Sequence, residues 1–319
     1  MKKTTIVAAL CALLCVPPQT IWAQGQDSTP GERSLLIMAE LLPGIYDNAN
    51  QAYFDGRRGL AEELRHGRLK TEISRIEAPA LGRFVFAWTD TAGQGAQAKT
   101  ARWIATLAAD GAPEEVVLRS YASGAELADT LELSELPEQP DCVFRFVRSA
   151  EHFAGQRDDA NCAGAGLADF AEILLSREEL WRRPADGSVG PFWQERARIF
   201  HCYADIPGVS GGRDEAFERY DGITLHDRGD LAWFETRDQE PRNIGIMLRS
   251  VTWHVNNEKG GNFNRDSLVL YAMERMADGT IKPYSYAFIE PGATRIGLNM
   301  RWMLVNCAMV PRDQARPKL

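Results

Sequence analysis

In this 319-residue sequence, one serine motif and a handful of cysteines and histidines have types and spacings that could do chemistry. Gly208-Val209-Ser210-Gly211-Gly212 matches G-x-S-x-G, the strained turn that lifts a nucleophilic serine above the sheet of an α/β hydrolase. That device needs a buried strand before it and a helix after it. Here Asp205 and Pro207 interrupt the preceding apolar run, the residues after the motif read mostly as strand, and no HGGG oxyanion motif is present. His226 or His254 would have to serve as base, and neither spacing supports it. A Gly/Ser loop is therefore the preferred reading, and a serine hydrolase using Ser210 the weaker one. The five histidines form neither HExxH nor an H-x-H pair, so no metal site is expected. Glu178 and Glu179 are neighbours that would not face each other on a helix. Gly260-Gly261-Asn262 lacks the Lys-Ser/Thr of a phosphate loop. The polar groups His226-Asp227-Arg228-Gly229-Asp230, Arg265-Asp266-Ser267 and Asn299-Met300-Arg301-Trp302 read as turn and edge residues.

The cysteines point to structure. Two of the six, Cys11 and Cys15, fall in a segment that resembles a secretory leader. Met1-Lys2-Lys3 is basic, Ile6 to Val16 is apolar and too short to span a bilayer, and Ile21-Trp22-Ala23 offers a cleavage site. Residues 1–23 are thus expected to be removed, with 24–31 as a loose lead-in and an exported, periplasmic or secreted protein as the result. The remaining four, Cys142, Cys162, Cys202 and Cys307, suit two disulfides in an oxidising compartment, with three connectivities open. Cys142–Cys162 with Cys202–Cys307 is favoured, because it gives one bridge to each half of the chain. No C-x-x-C pair suggests metal.

Thirty-six basic residues face 44 acidic ones, a net charge of −8, or −10 without the leader lysines Lys2 and Lys3. Such a surface repels phosphate backbones, so no nucleic-acid partner is expected. No other stretch is long and apolar enough for a membrane span.

Glu32 to Leu42 reads as a helix with Leu35, Leu36, Met38, Ala39 and Leu42 along one side, ended by Pro43-Gly44. Beyond it, period-two alternation dominates. Phe84, Phe86 and Trp88 share one strand face, and Cys142, Phe144 and Phe146 another. Ala101–Leu107 and Glu115–Tyr121 read as further strands, while Ala125–Leu136 and Leu167–Leu180 read as short helices or loops. After the turn-rich Arg182–Gly190 come strand-like runs at Ala197–Ala204, Leu231–Thr236, Ile244–Val255, Leu268–Glu274, Tyr284–Ile289 and Met300–Met309. Gly208–Arg213 and Asn256–Asn264 read as loops. The expected fold is mainly β, with a barrel domain over 32–194 and a β-rich C-terminal domain of unknown role over 195–319. The aromatic stripes, including Trp88, Trp103 and Trp181, either fill a small barrel or line a cavity for a planar apolar ligand. Core filling is the default.

One stretch is more specific. Gly44-Ile45-Tyr46-Asp47-Asn48-Ala49-Asn50-Gln51 resembles the G-x-(F/Y)-(D/S)-N-x-x-Q opening of the CpcT/CpeT family of phycobiliprotein chromophore lyases. Cys142-Val143-Phe144, then Phe153-Ala154-Gly155 and Cys162, resemble that family's C-x-(F/W)…F-x-G…C segment. Gly190-Pro191-Phe192-Trp193 resembles its late G-P-(Y/F) element. The likeness covers residues 35–193, with Lys99-Thr100 standing where the family has Tyr-Arg before the position of Arg102. The resemblance implies a calycin-like antiparallel β-barrel with flanking helices. It also implies a lyase that joins a linear tetrapyrrole (bilin) to a client protein's cysteine through a thioether, with Asn48, Gln51 and Arg102 as cleft residues beside Trp88 and Trp103. No resident cofactor is expected, the bilin being ligand or substrate. An exported calycin-like carrier of an apolar or tetrapyrrole ligand, without catalysis, is the alternative.

Overall fold

The computed structural model describes residues 29–122, 138–163, 166–207, 217–237, 241–257 and 261–311. The leader, the Ala125–Leu136 candidate and the loop carrying Ser210 lie outside the described residues.

Alternation drives the architecture. The first helix, α1 (Pro30–Leu41), begins where Thr29 Oγ1 accepts from the Glu32 amide at 3.1 Å and Pro30 occupies the first turn. Its Leu35, Met38 and Ala39 are buried with Leu42, whereas Leu36 turns to solvent. Then come β1 (Gly44–Asp47), α2 (Ala49–Arg57), β2 (Leu69–Ile76), β3 (Phe84–Ala92), β4 (Lys99–Ala108) and β5 (Glu115–Ala122). After these are β6 (Cys142–Arg148), β7 (His152–Cys162), β8 (Phe170–Ser176), β9 (Glu179–Pro184) and β10 (Phe192–Arg196). These ten strands form an up-and-down antiparallel meander that closes when β10 pairs with β1, Tyr46 opposite Arg196 and Asp47 opposite Glu195. Closure removes both sheet edges.

Away from the bulges, alternate residues of the strands point inward. Phe84, Phe86 and Trp88 are buried on one face, as are Cys142, Phe144 and Phe146. Helix α1 crosses one end of the barrel, from the β4–β5 turn, where Gly31 approaches Pro113, to β1, where the Tyr46 hydroxyl donates to the Leu41 and Leu42 carbonyls. Arg196 donates to Leu41, to Tyr46 Oη and, at 2.6 Å, to the Pro43 carbonyl, tying the helix to the closing strand. Gly155 of the F-x-G segment sits opposite Phe146, whose ring fills the place a Cβ would take.

The segment Leu167–Leu180, expected as helix or loop, is instead a single turn over 166–169 followed by β8 and the start of β9. A bulge between Phe170 and Glu172 puts the buried residues at 170, 173 and 175, and the spacing of three imitates a helix. The barrel's last strand also runs to Arg196, two residues past the expected boundary at 194.

The second unit packs two four-stranded sheets face to face. β11 (Ile199–Pro207), β12 (Phe217–His226), β17 (Arg295–Met300) and β18 (Met303–Met309) form one, in the order β12-β11-β18-β17. β13 (Arg228–Glu235), β14 (Asn243–Asn257), β15 (Gly261–Arg275) and β16 (Ile281–Ile289) form the other, in sequence order. Much of the expected loop Asn256–Asn264 is strand, since the β14–β15 ladder extends to Asn257 opposite Gly261. Phe200, Ile246, Leu248, Leu268, Leu270 and Val305 make the core between the sheets. Both disulfides, Cys142–Cys162 and Cys202–Cys307, join residues directly opposite each other in antiparallel pairs. They suit an oxidising compartment.

Candidate functional site

The end of the barrel away from α1 combines rings with buried charge. Trp88 and Trp103 are register partners on β3 and β4, stacked with centroids 5.9 Å apart and planes at 26°. Both are buried. The backbone at Gly166, in the turn before β8, lies against the six-membered ring of Trp103. Phe170 and Phe192 meet edge to face at 6.2 Å, and His66 meets Phe192 the same way at 5.4 Å.

Beneath these rings lies Arg182, whose side chain is 0% exposed. Its Nη1 donates to Asp90 Oδ2 at 2.6 Å, its Nη2 to Thr71 Oγ1 at 2.6 Å and Asp90 Oδ1 at 3.2 Å, and its Nε to Gln194 Oε1 at 3.0 Å. Its guanidinium also lies 4.5 Å from the Phe170 ring centroid. The Trp88 indole N–H donates to Asp90 Oδ1 at 3.2 Å, and Gln194 Nε2 donates to the Leu69 carbonyl and to Thr71 Oγ1. The charge is balanced and hydrogen-bonded, as a buried ion must be. The Trp103 indole N–H, by contrast, is buried and meets no acceptor among the described residues.

Asn48 and Gln51 come together, but at the barrel's closure, where their polar groups bond backbone. Asn48 Oδ1 accepts from the Leu69 amide at 2.7 Å, and its Nδ2 donates to the Gly67 carbonyl at 3.0 Å and to Gln51 Oε1 at 3.2 Å. Gln51 Nε2 donates to the Pro191 carbonyl, and its Oε1 accepts from the Trp193 amide, both at 2.9 Å. The two side chains thereby clasp the segments that lead into β2 and β10. Asp47 is part of the same clasp, accepting from the Ala49 amide and from both Nε and Nη2 of Arg68. Arg102 stands apart, exposed on β4 and turned opposite to Trp103. Of the five expected ligand-binding residues, then, Trp88 and Trp103 share the ring-lined end, Asn48 and Gln51 share the clasp, and Arg102 joins neither.

Arg182, Asp90, Thr71 and Gln194 were absent from the sequence expectation. A signal for them existed: Asp90 continues the inward phase of Phe84, Phe86 and Trp88, and Thr71 falls between Leu69 and Ile73. A charge in phase with an apolar face is a buried-ion signature.

A second polar cluster lies where barrel and sandwich meet. Arg68 continues from Asp47 to the Gly229 carbonyl at 3.2 Å, and Arg228 pairs with Glu195 at 3.0 Å. Arg198 pairs with the fully buried Asp227 at 2.7 Å. His226 is buried beside them, and its Nε2 meets no hydrogen-bond partner among the described residues. Burial pushes the His226 imidazole below its ordinary value, with Asp230 and Asp47 pulling the other way. At the far side of α2, His66 Nδ1 lies 2.6 Å from Asp55 Oδ2. Burial raises the Asp55 carboxyl, but hydrogen bonds from the His66 amide and ring more than reverse this and hold it below the usual range.

Fold and site together define a closed ten-stranded antiparallel barrel with a ring-and-arginine end, joined to a two-sheet β-sandwich. No family model, no curated protein and no solved structure matches the chain. No helix among the described residues is long and apolar enough to cross a membrane.

Proposed function

We propose that the chain is an exported binding protein whose barrel holds a planar, largely apolar ligand with hydrogen-bond acceptors, a linear tetrapyrrole being the type, and performs no chemistry on it. The observation that carries this reading is Trp103, a buried indole donor without an acceptor among the described residues, stacked on Trp88 at the ring-lined end of the barrel. A lactam or carboxylate oxygen entering there gains that N–H in an apolar setting, where a hydrogen bond counts for more than in water. The polar side chains nearest the rings are already engaged: Arg182 by Asp90, and Asn48 and Gln51 by backbone. The four cysteines of the two units are paired with each other. None of these is poised as acid, base or nucleophile, which favours carrying over catalysis.

The bilin-lyase reading keeps support from the G-x-(F/Y)-(D/S)-N-x-x-Q stretch, whose Asp47, Asn48 and Gln51 each have a defined place in the clasp. In that case the client supplies the thiol, and the barrel's task is to orient the chromophore.

Titrating the purified chain with phycocyanobilin, following Trp fluorescence and visible absorbance together, tests the proposal. Saturable quenching is expected. Trp103→Phe, which keeps an aromatic side chain but removes the N–H with the pyrrole half of the indole, should weaken binding at least about threefold, the lower value of one hydrogen bond. Adding a cysteine-bearing phycobiliprotein subunit then separates carrier from lyase by whether a covalent product forms. Absence of quenching up to high micromolar bilin rejects both readings.

A further inference from the structure

The second sandwich sheet, β13-β14-β15-β16, buries one face against its partner sheet and turns the other outward. On the outward face the two central strands β14 and β15 carry Gly245, Met247, Arg249, Val251 and Trp253, and Arg265, Ser267, Val269, Tyr271, Met273 and Arg275. Every charge among these residues is positive, in a protein whose net charge is −8. Such a face usually mixes signs or is covered.

Here it is covered only in part. Helix α2 of the barrel reaches it through Tyr53, which lies under the Arg249 guanidinium at 4.4 Å, while Asn50 accepts from Arg249. From that junction a row of rings leads to the edge strand β16. Tyr271 and Tyr286 have centroids 6.1 Å apart, and Tyr286 and Phe288 6.4 Å apart. Tyr53, Tyr286 and Phe288 are 44%, 56% and 52% exposed. Arg265 lies over Phe288 at 5.3 Å. Neither Arg249 nor Arg265 has a carboxylate within salt-bridge distance among the described residues, although Arg68, Arg198 and Arg228 nearby are all paired.

We propose that this row, from Tyr53 on α2 to Phe288 on β16, is a binding site for a carboxylated polysaccharide chain. Tyr271, Tyr286 and Phe288 follow one another at 6.1 and 6.4 Å with planes 39° and 31° apart, a row of rings tilted by similar amounts. A row of rings spaced 6.1 and 6.4 Å apart, exposed at Tyr286 and Phe288, suits stacking on successive pyranose units of an extended chain. A protein partner would more often seek a pocket for an anchoring side chain. Arg249 and Arg265, held on ring faces with no carboxylate partner among the described residues, supply the charge that selects uronate over neutral sugar. The site is on the sandwich and does not depend on what the barrel holds.

The test uses the full mature chain and polygalacturonate, with neutral dextran and poly-glutamate beside it, in affinity electrophoresis and calorimetry at moderate salt. Polygalacturonate should bind more tightly than dextran or poly-glutamate. The double variant Tyr286→Ala/Phe288→Ala should weaken it at least about tenfold, as loss of two stacking rings predicts. Arg265→Gln should erase most of the preference for polygalacturonate over dextran. All three positions lie at the surface, and unchanged thermal unfolding of the variants verifies their fold. No retention of the wild type by polygalacturonate overturns the proposal. So does binding that the ring variants leave intact, which is bulk charge, and so does equal or tighter binding of poly-glutamate, which marks an acidic protein segment as the occupant.

Discussion

Replacing Asp90 with Asn changes almost no volume but leaves Arg182 fully buried without its counter-charge. The remaining partners, Thr71 Oγ1 and Gln194 Oε1, are neutral. Breaking one side of a buried ion pair costs about 3–5 kcal/mol, well above the net worth of the intact pair, because the surviving ion stays desolvated. The Trp88 indole also loses a charged acceptor for a neutral one. With a urea dependence of about 2 kcal/mol per M, the barrel transition should move down by about 1.5–2.5 M. Urea unfolding at pH 7 under non-reducing conditions reads this through Trp fluorescence, since Trp88 donates to Asp90 and Trp103 stacks on Trp88. The double replacement Asp90→Leu/Arg182→Met should recover most of the loss, because neither ion is then stranded. If Asp90→Asn moves the midpoint by less than about 0.3 M, the pair is not isolated from water as its burial implies, and the reasoning fails.

The disulfides close loops of very different length. From sequence separations of 20 and 105, loop-closure entropy assigns about 3 kcal/mol to Cys142–Cys162 and about 5 kcal/mol to Cys202–Cys307. Paired Cys→Ser variants compared by calorimetry should rank in that order, and the reverse ranking contradicts the loop argument. His226 gives a pH signature. Its folded value is depressed, so the unfolded chain takes up the proton first, and stability is full above the unfolded value of 6.5. As pH falls below 6.5 stability declines, at up to about 1.4 kcal/mol per pH unit for the one proton. Urea midpoints at pH 7.5, 6.5 and 5.5 should fall for the wild type and fall less for His226→Gln. Parallel curves would show that the buried imidazole does not set the acid limit.

Strand periodicity was legible because barrel and sandwich bury alternate residues, and Phe84/Phe86/Trp88 and Cys142/Phe144/Phe146 display that without interruption. β8 escaped because a bulge broke its phase. The long β14–β15 hairpin escaped at its outer end, where Asn and Gly are poor strand formers held in place by pairing across the ladder. The two disulfides followed from counting and from keeping each bridge within one half of the chain. The site was harder. Trp88 and Trp103 stood out by type, but only the fold shows that they stack. Asn48 and Gln51 drew notice as polar motif residues, a pattern that ligand contact and backbone clasping share. Arg182 sat in a stretch read as turn, and its partner Asp90 lies 92 residues away in sequence, so no local pattern links the two.

In both units the first strand lies beside the last: β1 against β10, and β11 against β18. A chain emerging from its N-terminus therefore cannot finish either unit until that unit's final strand has arrived. Until then, β1 and β11 each offer an unpaired edge, the kind of surface on which nascent chains cross-associate. Closure of each unit therefore waits on its longest-range strand pairing, the kind of contact that forms last. It also brings the first and last strands of each unit side by side. A new start point at the β4–β5 turn, with β10 joined to α1 by a linker that crosses the barrel end which the 12-residue α1 spans, should therefore reproduce the barrel with its strand order rotated.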